Sequence, residues 1–338
     1  MSVSVKDVAE AAGVSVGTVS NVLNRPDRVA TDTVTRVQDA IIRLGFVRND
    51  AARQLRAGRS NSIGLVVLDA RNPFFADIAQ GAEERAAEHG LTILVANSDE
   101  KADRERAHID LFEQQRVHGV LITPVAESLP RLQRLRERGI PAVLVDRESQ
   151  DGAFPSVAVD DISGGRLAVE HLCDIGRRRI AFVGGPLSLR QVADRLDGAQ
   201  RAVAGRDDAT VEFIGTDALT VEAGRDAGRR ILEREPQARP DAVFAANDLL
   251  ALGLLQALVM TGDVRVPEDI ALIGYDDIDF ASSAVIPLSS VRQPAALIGS
   301  TAVDLLMRIA GNAQAANEHV VFQPELIVRA STGGLVSP

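Results

Sequence analysis

The sequence is short of residues that cross-link, anchor or metallate proteins. Cys173 is its single cysteine, so neither a disulfide within the chain nor a cysteine-based zinc cluster can form, and a reducing compartment fits best. Tryptophan is absent, Tyr275 is the single tyrosine, and aromatics make up 3% of the chain, so aromatic residues that do cluster call for an explanation. Long hydrophobic runs are missing too. The longest, such as Ile63 to Leu68, stop at strand length, well below the roughly 18 residues of a spanning helix. The N-terminal MSVSVKDVAEAAG has no basic segment followed by an apolar stretch, so neither export nor a membrane partner is expected.

Catalytic signatures are equally scarce. There is no G-x-G-x-x-G and no phosphate-binding P-loop, and the five histidines (His89, His108, His118, His171, His319) lack metal-ligand spacing. Gly13 to Gly17 match G-x-S-x-G, but that elbow works only on a strand-to-helix turn above a parallel sheet, and here a helix precedes it. Glu170 and His171 read as a solvated pair on a helix, and the adjacent Asp276 and Asp277 point apart rather than forming an acid/base pair. No enzyme, cofactor or metal is expected. What remains is an ordinary globular composition over 338 residues, 46% hydrophobic and 25% charged, enough for two or three domains.

A net charge of -10 argues against a polyanion-binding protein, but the charge is unevenly placed. Residues 1–60 carry nine basic and six acidic side chains, a net +3, which leaves -13 on the remainder. A basic head on an acidic body is the pattern of a protein that touches nucleic acid through one end. Arginine outnumbers lysine 35 to 2 along the whole chain, so that bias carries no local meaning.

Helix signals fill the head. Ser4 and Asp7 have capping-box spacing before Val5, Val8, Ala9 and Ala12, and Gly13 can end that helix in a left-handed conformation. Ser15 is placed to cap a second helix with Val19, Val22 and Leu23 on its buried side; Thr31 reads as the cap of a third, with Val34, Val37, Ile41 and Leu44 inward and Gly45 at its end. Two short helices around a glycine turn, braced by a third, make a helix-turn-helix. Its second helix enters the major groove, which leaves Ser15, Thr18 and Ser20 for phosphates or bases and Val16, Gly17 and Asn21 for sequence preference. Val16 can touch a thymine methyl, Asn21 can pair with adenine, and Gly17 admits close approach. Ser4, Lys6 and Asn24 complete the candidate contacts of the head.

Beyond residue 62, apolar runs alternate with helical stretches: Ile63 to Leu68, Thr92 to Ala96, Gly119 to Ile122, Ala142 to Val145, Ile180 to Val183, Val211 to Ile214, Ala242 to Ala245 and Ile270 to Ile273. Near-continuous apolar strands between amphipathic helices predict doubly wound parallel sheets of the α/β class, and eight units exceed one sheet. Two lobes are expected, changing over near Val159 to Ser163 and again near Ser290 and Val321. Ligands of such sheets bind beyond the carboxyl ends of the strands. There stand Asp69, Asn72, Phe74, Phe75, Thr123, Asp146, Arg147, Asn247, Tyr275 and Asp276, with Arg195 on a helix after Gly184-Gly185-Pro186. Carboxylates, amides, a guanidinium and aromatic faces suit a polyhydroxylated ligand. Asp248 and Asp277 read instead as helix caps.

The stretches VKDVAEAAGVSVGTVSNVLN and RLGFVRNDAARQLRAGRSNSIGLVV resemble the DNA-binding head of the LacI/GalR family of bacterial repressors, and the resemblance continues to the C-terminus. It implies a head at 1–48, a hinge helix and linker at 49–61, and an effector-binding and dimerising core at 62–338, with lobe 1 about 62–160 and 291–320 and lobe 2 about 161–290 and 321–338. It also implies that the hinge helix at Asn49 to Arg56 forms on operator DNA, with Leu55 wedged between base pairs from the minor groove and Ala51, Ala52, Arg53 and Arg56 toward the partner or the phosphates. The core is similar to periplasmic ribose-type binding proteins. By that resemblance Asn72, Phe74, Phe75, Asp146, Arg147, Arg195, Asn247, Asp276 and Gln293 match the ribose pocket, while Val159 and Leu219 replace aromatics and Thr123 replaces an amide. The implied partners are double-stranded DNA with a near-palindromic operator, a small sugar effector with ribose as first choice, and a second copy of the chain. No leucine heptads follow Arg329, so a dimer rather than a tetramer is expected. The rival reading, a secreted solute-binding protein for sugar transport, predicts a signal peptide and no head. The expected location is the cytoplasm, on the nucleoid.

Overall fold

The structure is a computed structural model that describes residues 3–46, 60–125, 129–149, 152–260, 264–311 and 318–333. The chain divides into two compact units, Met1–Ser60 and Asn61–Pro338. The hinge positions Ala52, Leu55 and Arg56 lie outside the described residues. No described helix is long and apolar enough to cross a membrane.

In the first unit α1 (Val5–Ala12), α2 (Val16–Asn24) and α3 (Thr31–Leu44) close over Val8, Ala9, Ala12, Val19, Val22, Val37, Ala40 and Phe46. The Asp7 amide donates to Ser4 Oγ at 3.4 Å and the Ser4 amide to Asp7 Oδ2 at 2.8 Å, which satisfies two orphan donors of α1 reciprocally. Gly13 and Gly45 end α1 and α3 at φ 65° and 63°. Thr31 differs from expectation. Ala30 holds the cap position without a side-chain bond, and Thr31 is already helical, its carbonyl accepting from Thr35 Oγ1.

The second unit repeats one sheet order twice. Sheet one contains β1 (Ser62–Val67), β2 (Thr92–Asn97), β3 (Gly119–Ile122), β4 (Ala142–Val145), β5 (Ser156–Val159) and β11 (His319–Phe322), in the order β11-β5-β4-β3-β1-β2, all parallel. Sheet two contains β6 (Arg179–Gly184), β7 (Thr210–Gly215), β8 (Ala242–Ala245), β9 (Ala271–Asp276), β10 (Ser289–Arg292) and β12 (Glu325–Ile327), in the order β12-β10-β9-β8-β6-β7, parallel except for β10 with β12. Lobe 1 carries α4 (Pro73–Glu88), α5 (Ala102–Gln114), α6 (Leu129–Glu137) and α12 (Ala295–Gly311). Lobe 2 carries α7 (Asp161–Asp174), α8 (Arg190–Val203), α9 (Val221–Leu232), α10 (Asp248–Met260) and the short α11 (Asp279–Ser283).

Alternation along the strands shows why both faces are covered. Ile63, Leu65 and Val67 of β1 and Leu121 of β3 enter one apolar cluster, while Val66, Val120 and Ile122 enter the other. β5, β10, β11 and β12 are short and were not among the expected strands. The chain crosses between lobes after Val159, after Arg292 and after Phe322, so the last two crossings fall two residues beyond 290/291 and 320/321 and leave β10 and β11 whole. In both sheets the winding reverses at the first strand, which opens a crevice beyond the carboxyl ends of β1 and β3 and of β6 and β8.

Candidate functional site

The head exposes one polar face. Ser15 accepts from the Thr18 amide at 3.0 Å and lies 2.9 Å from Thr18 Oγ1, so the two hydroxyls are tied together at the start of α2. Val16, Gly17, Asn21 and Asn24 are exposed beside them, Ser20 is half-buried, and Ser4 and Lys6 are exposed on α1. Asn24 Nδ2 donates to the Ser20 carbonyl at 2.7 Å. Nothing in the packing demands glycine at 17, because a Cβ there would meet only Ser15 Oγ at an ordinary 3.6 Å.

In the second unit, a cavity lies between the lobes, with about 460 Å³ of empty space that includes part of the open solvent at its mouth. Its walls include Asn72, Phe74, Phe75, Asp146, Arg195, Asn247 and Asp276, seven of the expected positions. Asn72 caps α4 through its oxygen, accepting from the Phe74 amide at 3.1 Å, and this turns its Nδ2 across the cleft to Asp276 Oδ2 at 3.0 Å. Phe74 and Phe75 meet edge to face, centroids 5.2 Å apart, both lining the cavity. Asp146 and Asp276 adopt positive φ, 56° and 104°, where a short polar side chain is tolerated and a branched one is not.

Arg195 is the central group. Its Nε donates to Asp161 Oδ1 at 2.8 Å, its Nη1 donates to the Ala246 carbonyl at 2.7 Å, and Nη1 stands 3.9 Å from Asp276 Oδ1. The Tyr275 ring lies flat beneath it, 3.7 Å from the guanidinium carbon, a cation–π contact away from water. A Cβ on Gly165 of α7 would run into the Arg195 carbonyl, and one on Gly198 into the Ile162 carbonyl, so close approach of α7 and α8 sets where Arg195 stands. Asp146 accepts from Gln191 Nε2 through its carbonyl and Oδ2, while its buried Oδ1 has no partner among the described residues.

A family model described as "Periplasmic binding proteins and sugar binding domain of LacI family" matches residues 60–328, and one described as "Bacterial regulatory proteins, lacI family" matches residues 4–49. The chain belongs to the lacI family of bacterial regulatory proteins. It is similar to the ribose operon repressor of Escherichia coli, 32% identical over 332 residues that cover 97% of this chain and 99% of the other. Among solved structures it is similar to the lac repressor dimer bound to operator and the anti-inducer ONPF, at 28% identity, covering 98% of this chain and 99% of that one, with a TM-score of 0.84. It is also similar to a LacI family regulator from Enterococcus faecium with bound ribose, at 27% identity, covering 81% and 99%, with a TM-score of 0.73.

In this lacI-family chain four expected cleft residues stand apart from the cavity wall. Tyr275 is fully buried under Arg195, because alternation along β9 sends it away from the face that Asp276 takes, into space left by Gly164. Thr123 is buried, its Oγ1 has no partner among the described residues, and it lines no part of this cavity. Arg147 faces a neighbouring cavity with Glu148, Asp160 and Arg190. Gln293, on the crossing after β10, acts through Asp276, donating from Nε2 to Oδ1 at 2.8 Å, and borders an adjoining cavity.

Other expectations are corrected. Asn247, not Asp248, caps α10, accepting from the Leu250 amide at 2.9 Å, and Asp248 instead accepts from the Ile278 amide and Ser290 Oγ. Asp277 accepts from Arg292 and Arg329 and caps nothing. His171 is half-buried, 2.9 Å from Thr332 Oγ1, rather than a solvated partner of Glu170. Conversely Asp161, Gln191 and Glu100 belong to the site or its support and were not singled out by sequence. Among the described residues no group of three His, Cys, Asp or Glu side chains is placed to hold a metal ion.

The electrostatics of the cleft are those of an acidic pocket around one guanidinium. Burial raises Asp276 to about 6 against the opposing pull of Arg195 and the bonds from Asn72 and Gln293. Burial also raises Asp146 well above its ordinary value, with Asp161 adding to it. Burial alone would lower Arg195, but Asp161, Tyr275, Asp276 and Asp146 carry it above the usual arginine range.

Proposed function

We propose that this chain is a transcription repressor that binds a near-palindromic operator as a homodimer and is released by a small uncharged sugar. Residues Ser4, Lys6, Ser15, Val16, Gly17, Thr18, Ser20, Asn21 and Asn24 would contact DNA from the head, and Ala52, Leu55 and Arg56 from the hinge. Twofold half-sites need a dimer. The protein would act in the cytoplasm, on the nucleoid, and leave its ligand chemically unchanged.

The observation that carries the effector reading is the buried Asp146 Oδ1 beside Arg195. A buried carboxylate oxygen without a partner is costly, and a ligand hydroxyl would satisfy it. Asn72, Phe74, Phe75, Asn247 and Asp276 would complete the contacts, with Tyr275 supporting Arg195 and Gln293 supporting Asp276 from behind. Ribose is the first candidate, given the similarity to the ribose operon repressor and to a family member with bound ribose. Closure on the sugar would alter the angle between lobes, part the paired hinges, and lower operator affinity by the ratio of effector affinities for the two states.

The test is titration calorimetry with a sugar panel beginning with ribose, alongside operator shifts using palindromes from the protein's own promoter region. Arg195→Ala should abolish the sugar response and leave operator binding intact; Arg195→Lys serves if the alanine variant fails to fold. A normal response in a folded Arg195 variant would remove the cleft assignment. Absence of salt-sensitive binding to any such palindrome would remove the regulator reading.

A further inference from the structure

Glu100 lines the cavity from lobe 1, in the turn between β2 and α5. Asp99 and Glu100 both adopt left-handed backbone, φ 53° and 55°, a conformation that persists in non-glycine residues only when the surroundings enforce it. They do so here. The Glu100 amide donates to the Leu68 carbonyl at 3.0 Å, the Asp99 amide to Asn97 Oδ1 at 3.0 Å, the Lys101 amide to the Ser98 carbonyl at 3.0 Å, and Ser98 Oγ to the Val67 carbonyl at 3.0 Å. The turn is pinned to the end of β1, where the cleft begins.

The acids around Glu100 are matched and Glu100 is not. Arg71 pairs with Asp69 at 2.8 Å and with Asp99 at 3.0 Å, and Lys101 and Arg104 also hold Asp99, at 2.7 and 3.1 Å. Among the described residues the half-buried Glu100 carboxyl has no hydrogen bond or ion pair of its own. Burial, then Asp69 at the end of β1 and the neighbouring Asp99, push it up to about 7, with Arg71 in the turn after β1 opposing them. The cation deeper in the cleft, Arg195, is already committed to Asp161 and flanked by Asp276, so it offers a second anion little counter-charge.

We propose that Glu100 is a specificity-determining residue, which accepts a hydrogen bond from an effector hydroxyl at the lobe 1 wall and rejects effectors bearing phosphate or carboxylate there. The inference rests on the reading of this cleft as a sugar site and names the class of sugar it takes, neutral and unphosphorylated. A like charge brought against a partly desolvated carboxylate loses roughly a hundredfold or more in affinity. The ionised form of Glu100 does both tasks, so affinity for a neutral sugar should rise with pH through neutrality.

The experiment is titration calorimetry of the full chain with matched probes, D-ribose against D-ribose 5-phosphate and D-glucose against D-glucose 6-phosphate, at pH 6 and pH 8, for wild type, E100Q and E100A. Thermal unfolding without sugar reports that the variants fold. Wild type should bind the neutral member of a pair and reject its phosphate, with affinity several-fold higher at pH 8. E100Q should reduce that pH difference to what Asp276 contributes and bind the phosphate ester at least about tenfold better than wild type does. Unaltered phosphate rejection together with an unaltered pH profile in E100Q would overturn the proposal, as would a wild type that prefers the phosphate ester. If neither member of any pair binds wild type while operator binding persists, the sugar reading of the cleft fails, and this assignment with it.

Discussion

Gln191 of lobe 2 holds Asp146 of lobe 1 by two bonds from one nitrogen, 2.7 Å to the carbonyl and 3.0 Å to Oδ2. With Asn72 and Asp276 it forms a direct link across the cleft. The contact occupies one carboxyl oxygen and leaves the other buried without a partner among the described residues, so under the proposed function the group that joins the lobes would also offer an acceptor to a ligand.

Removing the link should therefore weaken closure. Gln191→Ala leaves two buried acceptors without a donor, a loss of about 1–3 kcal/mol, and sugar affinity by calorimetry should fall roughly tenfold. Gln191→Glu sets a carboxylate against Asp146 and should lose more at pH 8 than at pH 6. Equal affinity in wild type and both variants would show that the link does not favour the liganded state.

Gly17 stands on an exposed helix face where packing leaves room for a side chain. Alanine there should stabilise α2 by about 0.5 kcal/mol, seen as slower amide exchange across Val16–Asn24. If Gly17 is present for close approach to DNA, the same variant should lose on the order of tenfold in operator affinity. A gain in helix protection with unchanged operator binding would assign Gly17 no part in recognition.

Gly165 and Gly198 let α7 and α8 approach backbone to backbone, and Gly165 sits against the Arg195 carbonyl. Gly165→Ala must displace that carbonyl or the helix. Overpacking of this kind costs about 1–3 kcal/mol, and the shift should reduce sugar affinity more than a remote substitution of equal stability cost. Denaturant unfolding and calorimetry on the same sample separate the two effects.

The buried acids make ligand-free stability depend on pH. The folded value of Asp276, about 6, lies above its ordinary 3.8, so its contribution is fully present below about 4 and is lost as pH rises through 6. Asp276→Asn should therefore gain up to about 3 kcal/mol over wild type at pH 8 and almost nothing below pH 4, while losing sugar affinity. Urea unfolding across that range checks the difference. A gain independent of pH would mean that the charge of Asp276 is not what costs stability.

Much of the fold is legible in the sequence because its signals are local. Ser4 and Asp7 announce α1, Gly13 and Gly45 end their helices, and apolar runs between amphipathic stretches give the parallel strands. The doubly wound rule then brings forward Asn72, Asp146, Asn247 and Asp276, since it needs only strand ends. Residues that depend on tertiary approach escape it. Asp161 lies beside the true cap of α7, Asp160, and meets Arg195 only because two glycines let α7 and α8 close. Gln191 acquires its role from a partner 45 positions away across the cleft, and Glu100 from a turn whose backbone no residue type there advertises. Tyr275 was legible in principle: with Asp276 facing the cleft, alternation along β9 sends its predecessor to the other side.

The central claim is that sugar and operator are linked through the two-lobed core. Fluorescence anisotropy of a labelled palindromic operator, titrated with protein at two salt concentrations with and without saturating sugar, tests it most directly. Binding should weaken steeply with salt, sugar should lower operator affinity, and operator should lower sugar affinity by the same factor. Salt-sensitive operator binding that saturating sugar leaves unchanged would contradict the account.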